Sequence, residues 1–338
     1  MNYPENLKIG DCIGICAPSD GITDEKKIQK LELAIMQLKE LGYKVIETES
    51  VRLSFKGRSS TAEQRAKEFM ELLENDEIKL IIFASGGDFL CEMLDYLDFE
   101  KIKTLKPKWM QGYSDITGIS FLFNTILDIP TMYCQTIKDY AMRPLHKSLL
   151  DALEIESGKE IKQESFELYE KEWLAEENQN YTYNLTEKVK WKNLIGGKKI
   201  VMQGRALGGC LDCIQSFIGT KYDNVKNYIN KHKQDGIIWF LECFEMSTPY
   251  LTRLLWQMKN AGYFENCNGI IFGRSLFIRN DYEIDFYESV KDVLGSLEIP
   301  IICDADIGHR APQMAIVNGA ILKITSENGK GVVETFLK

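Results

Sequence analysis

A chain of 338 residues, 44% hydrophobic and 27% charged, is long enough for two cores of ordinary size and too apolar to stay disordered. Its formal net charge of -9 excludes broad nucleic-acid polymer binding, which needs a basic surface to displace counterions from phosphate, and points to a small-molecule partner. No stretch reaches the ~20 apolar residues of a membrane span and the first residues lack a secretory pattern, so a cytoplasmic protein without membrane association is expected.

From the amino terminus, apolar runs alternate with amphipathic stretches. Residues 12–17 read as a strand and 25–41 as a helix, with Ile28, Leu31, Ile35 and Leu38 on one face and Gly42 placed to end it. Residues 43–47 form the next strand. Ser60 with Glu63, or Thr61 with Gln64, offers a helix-start box before Ala66, Phe69 and Leu72. Residues 78–84 then read as a buried strand and 108–112 as a fourth. This βαβα order predicts a parallel sheet with helices on both faces.

Residues 157–199 are polar and glutamate-rich with isolated aromatics, and read as a linker or inserted loop between domains at 1–156 and 200–338. Alternation resumes with apolar runs at 236–241, 269–272 and 299–303 and a helix over 250–261. The segment Glu327-Asn-Gly-Lys-Gly331 separates two strand-like runs, 320–325 and 332–337, as a hairpin does. The expected fold class is α/β in two domains.

In open parallel sheets ligands collect at the carboxyl ends of strands, so polar residues just after apolar runs are the candidates. Ser114, in QGYSDIT, sits where a strand turns into a helix and is a candidate nucleophile. Ser85-Gly-Gly-Asp88 follows the third strand. Backbone N–H groups of Gly87 or Asp88, with that of Asp115, are candidates for an oxyanion hole, where one donor is worth ~3 kcal/mol of barrier lowering.

Of the three histidines, His232 lies in the lysine-flanked NKHKQ and reads as solvated, and His146 opens a helical stretch. His309, between Gly308 and Ala311-Pro312, reads as displayed on a constrained loop and is the candidate general base. Glu242 ends Ile237-Ile-Trp-Phe-Leu241; a carboxylate there is costly to bury without a partner, and an imidazole N–H is a suitable one, with Glu245 as a nearby competitor. Nine scattered cysteines make no disulfide framework, and the single Cys210-x-x-Cys213 lacks the second pair or histidine of a zinc site, so buried thiols and no metal are expected. Short basic runs such as Lys188-Val-Lys190 read as a solvated face.

Taken in order, the motifs resemble the LD-carboxypeptidase family of serine peptidases, which also contains the microcin C immunity peptidases. The resemblance runs through GDCIGICAPS at 10–19, Gln64-Arg-Ala66, the SGGD turn, the YLDF at 96–99 and KPKWMQGYSDIT. It continues with the GRALGGCL at 204–211, FLE ending at Glu242, GIIFGR at 269–274 and Gly308-His309. It implies a flavodoxin-like amino-terminal domain with Ser114 on a nucleophile elbow, and a second mixed α/β domain supplying Glu242 and His309 to complete a Ser-Glu-His triad. It also implies a homodimer and no metal or organic cofactor.

Departures are few. The elbow lacks the second glycine of GxSxG, as the family's own form does, and Cys134-Gln135 stands where the family usually has Gly-Pro, which bears on one wall of the pocket. Two substrate branches follow from the resemblance: removal of the terminal D-alanine from a murein tetrapeptide, or cleavage of an amide in a peptidyl or aminoacyl nucleotide. The extended 167–191 region favours the second. There a loop aromatic stacks on the nucleobase, and Trp173, Tyr181, Tyr183 and Trp191 are the candidates, against ordinary packing for each. A non-catalytic small-molecule or peptidoglycan-fragment binding protein on the same fold is the rival reading.

Overall fold

In the computed structural model, residues 1–172 and 180–338 are described; Trp173 lies outside them. The chain packs as two compact units. One holds Met1–Lys159, Glu172–Asn184 and Ala315–Val317, the other Glu160–Lys171, Leu185–Met314 and Asn318–Lys338.

Five short apolar runs build the sheet of the first unit: β1 (Cys12–Cys16), β2 (Lys44–Glu47), β3 (Ile78–Phe83), β4 (Trp109–Gly112) and β5 (Thr131–Tyr133). They pair in parallel in the order β2-β1-β3-β4-β5, and Ile316–Asn318 adds a sixth strand beside β5. β1, β3 and β4 are buried along most of their length, as strands covered on both faces must be, whereas edge strand β2 is largely exposed. The strand order reverses between β1 and β3, the switch point where such sheets open a crevice at their carboxyl ends.

The helices of this unit start and stop for local reasons. α1 (Glu25–Glu40) begins where the Asp24 carboxylate accepts the Lys27 N–H, and Gly42, at φ +94°, turns the chain after it. α2 (Ala62–Glu74) is capped by Thr61, whose hydroxyl accepts the Gln64 N–H. The Gln64 amide goes to Glu68 instead of returning to the cap, so the expected box is half made. α3 (Phe99–Ile102) is a single turn, α4 (Thr117–Leu127) is apolar almost all round and buried, and α5 (Lys147–Glu156) follows β5.

In the second unit the strands are β6 (Lys162–Glu164), β7 (Leu168–Glu170), β8 (Leu185–Lys188), β9 (Lys192–Ile195), β10 (Lys199–Cys210), β11 (Ile237–Glu242), β12 (Glu245–Ser247), β13 (Cys267–Gly273), β14 (Phe277–Arg279) and β15 (Ile301–Ala305). After Ile316–Asn318, counted as β16, come β17 (Ile321–Glu327) and β18 (Lys330–Phe336). Eight of them form a mixed sheet, β6-β18-β17-β10-β11-β13-β15-β9. Its centre, β10-β11-β13-β15, is parallel and its margins are antiparallel.

The helices of this unit are α6 (Leu211–Ile214), α7 (Val225–Lys231), α8 (Thr248–Asn260) and α9 (Phe286–Leu294). β17 and β18 close a hairpin through Asn328 and Gly329, at φ +52° and +78°, both in the region a type I′ turn requires. The polar stretch 157–199 carries β6 to β9 and is shared between the two units. β10 had no expectation of its own: Gly204, Gly208 and Gly209 interrupt the apolar alternation that marks a strand.

Candidate active site

Ser114 stands between β4 and α4 at φ +65°, a conformation β-carbon-bearing residues seldom adopt and one that stores strain where it occurs. The half-buried serine donates its N–H to the Tyr133 hydroxyl of β5 at 3.3 Å. Gly86, in the turn after β3, lies against it: a β-carbon on Gly86 would be 3.0 Å from both Cβ and Oγ of Ser114. Gly87, at φ +147°, packs instead on Ser19, the residue that ends the APS turn after β1.

These turns are tied together by Asp115. Its buried carboxylate accepts the Ser19 hydroxyl at 2.5 Å and the Leu90 N–H at 3.0 Å, and Ser19 Oγ accepts the Phe89 N–H at 3.4 Å. Arg65 adds a second tie, donating to the carbonyls of Pro18 and Phe89 and to Glu92. The chain segments after β1, β3 and β4 are thereby fixed to one another at the switch point. Ser19, Arg65 and Glu92 were not among the sequence candidates; the only signals were the APS and Gln64-Arg-Ala66 motifs that contain two of them.

In the second unit Glu242 is the last residue of β11 and is buried, and its Oε2 lies 2.9 Å from His309 Nδ1. A carboxylate holding Nδ1–H leaves Nε2 as the basic nitrogen. The approach needs a glycine beside the histidine: Gly308 has φ +89°, and a β-carbon there would lie 2.7 Å from Glu242 Cγ and Oε2. The Phe244 ring, its centroid 4.5 Å from that of the imidazole, packs on the other partner of the pair. Glu245, the competing carboxylate, is exposed.

The segments carrying this pair are anchored by charge. Asp212 accepts the N–H groups of Phe244 and Glu245 at 2.9 and 3.1 Å, and burial pushes its carboxyl up against the pull of those bonds. Arg274 makes a buried 2.6 Å ion pair with Asp306 and donates to the carbonyls of Arg310 and Pro312. Arg310 in turn donates to the carbonyls of Ser275, Leu276 and Lys171. The loop displaying His309 is thus pinned on both sides, the constraint expected of it, although the arginines responsible were visible only as the end of GIIFGR and the neighbour of His309.

The model of the LD-carboxypeptidase N-terminal domain matches residues 13–134, and that of the LD-carboxypeptidase C-terminal domain matches residues 203–324. The chain belongs to the LD-carboxypeptidase family. It is similar to the microcin C7 self-immunity protein MccF of Escherichia coli, 28% identical over 95% of this chain and 92% of that one. It is also similar to the probable murein peptide carboxypeptidase of Bacillus subtilis, 25% identical over 99% of this chain and 95% of that one. Among solved structures, MccF in complex with glutamyl sulfamoyl guanosine shares the fold with a TM-score of 0.80 at 22% identity, covering 100% of this chain and 99% of the other.

Tyr183 is 9% exposed, shares a hydrogen bond with the Gln135 amide at 3.1 Å and packs edge-on to His146. Trp191 is 2% exposed, donates its indole N–H to Asp306 and covers Gly331 so closely that a β-carbon there would clash with its ring. Both rings are largely buried by these contacts. Tyr181, partly exposed at φ +53° with the Lys30 ammonium 5.6 Å from its ring, keeps the possibility of stacking on a base.

Cys134 and Gln135 are buried in a network: the Gln135 amide also donates to Ser148 and its carbonyl accepts from Gln111. His232 corrects the expectation of a solvated side chain. It is 8% exposed because the end of α7 folds it onto Tyr228, ring centroids 4.6 Å apart. The cysteines are free thiols, and Cys210 lies 3.3 Å from an Asp212 oxygen. No helix among the described residues is long and apolar enough to cross a membrane.

Proposed function

We propose that this family member is a serine peptidase that hydrolyses an amide bond through an acyl-enzyme, with Ser114, His309 and Glu242 as its triad. The observation that carries the reading is the buried 2.9 Å contact between Glu242 and His309 Nδ1, the arrangement that leaves Nε2 to act as base. His309 takes the Ser114 proton as Oγ bonds to the carbonyl carbon, and the negative charge on the carbonyl oxygen is held by N–H groups at Gly87, Asp88 or Asp115. Collapse of the intermediate breaks the C–N bond as His309 returns the proton to the leaving amine. Water, deprotonated by His309, then cleaves the ester and restores Ser114.

Two substrate classes follow from the relatives, a murein peptide and an aminoacyl sulfamoyl nucleotide. For the second, Tyr181 is the aromatic best suited to stack on the base, with Trp173 as the other candidate. A homodimer, a cytoplasmic location and the absence of a metal or organic cofactor go with this reading. Incubation with a murein tetrapeptide and, separately, with an aminoacyl sulfamoyl adenosine is expected to release D-alanine or the amino acid from one of them. Ser114→Ala should reduce that turnover by about a thousandfold or more. Tight binding of either compound with no turnover would favour a binding protein instead.

A further inference from the structure

The lysine run read from the sequence as a solvated face lines a cleft of about 800 Å³ within the second unit, large enough for a small organic ligand. Between β8 and β9 the residues alternate: Val189 and Trp191 are buried, Lys188, Lys190 and Lys192 exposed. Three ammonium groups therefore leave the same side of an extended backbone, successive ones rooted about 7 Å apart. Lys171, Arg274 and Arg310 line the same cleft, with Asp285 and Asp304 as the carboxylates among its described lining residues. Against a net charge of -9 for the chain, such a local excess of cations draws anions.

The charges divide into those that build the walls and those left to a ligand. Arg274 and Arg310 are committed to Asp306 and to backbone carbonyls, as described above, and Lys192 lies over the Tyr287 ring, 3.2 Å from its centroid. The two carboxylates are also engaged: Asp285 caps α9 and Asp304 accepts the Tyr287 hydroxyl at 2.6 Å. Lys171, Lys188 and Lys190 form no ion pair among the described residues.

We propose that this cleft is a binding site for a small multivalent anion, carrying phosphates or carboxylates, held by the ammonium groups of Lys171, Lys188 and Lys190. It is separate from the Glu242–His309 pair, and the proposal does not rest on hydrolysis. Arg310 follows His309 directly, so the loop with the proposed base also supplies part of the cleft's wall.

Calorimetric titration of the full chain with sodium triphosphate and, separately, with a triglutamate peptide tests this without any turnover. Binding of at least one is expected, weaker at higher salt, and weakened about tenfold or more by Lys188→Gln with Lys190→Gln. Triphosphate alone would mark a phosphate site, the peptide alone a carboxylate site, and both a general polyanion site. Lys26→Gln with Lys27→Gln, on α1, should leave affinity unchanged. If the double variant does not fold, Lys171→Gln serves the same comparison. Failure of wild type to bind either anion, equal affinity in the cleft variants, or an equal loss in the α1 variant would overturn the proposal.

Discussion

A serine held at φ +65° on the sharp turn after β4 is a local compromise, and its consequence is measurable. Relief of a left-handed conformation is worth roughly 1–2 kcal/mol, partly offset by the greater freedom of glycine in the unfolded chain. Ser114→Gly is therefore expected to match or exceed the parent in urea unfolding, by up to about 1 kcal/mol, while losing the proposed hydrolysis to the same extent as Ser114→Ala. Ser114→Ala, which keeps the β-carbon and the strain, should show no such gain. The other residue-scale test lies at Glu242. Glutamine there preserves volume and can still meet Nδ1, yet cannot stabilise an imidazolium, so Glu242→Gln is expected to lower kcat by ~10³–10⁴ with little change in KM.

Among the elements, α5 carries a titratable group at each end, and the two respond to pH in opposite senses. His146 is its N-cap: Nδ1 accepts the Ser148 N–H at 3.2 Å, which only an unprotonated nitrogen can do. Burial, helped by the charge of Lys147, pushes its pKa down to about 4. The unfolded chain binds this proton first, so the contribution is complete above the ordinary histidine pKa of ~6.5 and is lost as pH falls toward 4, by about 2 kcal/mol after allowance for partial exposure. Urea unfolding at pH 7 and pH 4.5 should show this loss in wild type and a smaller one in His146→Asn, which keeps the cap.

Glu156, the last residue of α5, is fully buried with neither carboxyl oxygen hydrogen-bonded among the described residues, and burial pushes its pKa well up. A raised carboxyl pKa has the reverse sign: stability is greatest below the ordinary pKa of ~4.3 and falls as pH rises toward the folded value. Glu156→Gln should flatten that alkaline decline in the same unfolding series.

For the whole molecule, the chain crosses between its two units more than once, and the first unit takes Glu172–Asn184 and Ala315–Val317 from beyond its main span. A chain ending at Lys159 would leave the edge of β5 without Ile316–Asn318 and Gln135 without Tyr183. It is expected to lose near-ultraviolet circular dichroism and to aggregate, since an exposed strand edge is a template for pairing with other chains.

What was legible follows from range of interaction. The apolar runs of β1, β3, β4 and β11, the amphipathic α1 and the Asn328-Gly329 hairpin are set by periodicity and backbone preference a few residues long, which a sequence displays directly. Ser114 and Glu242 could be named because each sits at the end of such a run, and His309 because it follows one shortly after on a glycine-flanked loop. Glycine-broken β10, the burial of Tyr183 and Trp191, the ties of Asp115 to Ser19 and of Arg274 to Asp306, and the lysines facing one cleft all depend on partners tens to more than a hundred residues away. The sequence by itself determined the strands, helices and turns and the chemistry available at their ends. Only the tertiary structure decided which of those groups meet, because burial and hydrogen-bond geometry arise from contacts between segments that the linear order does not encode.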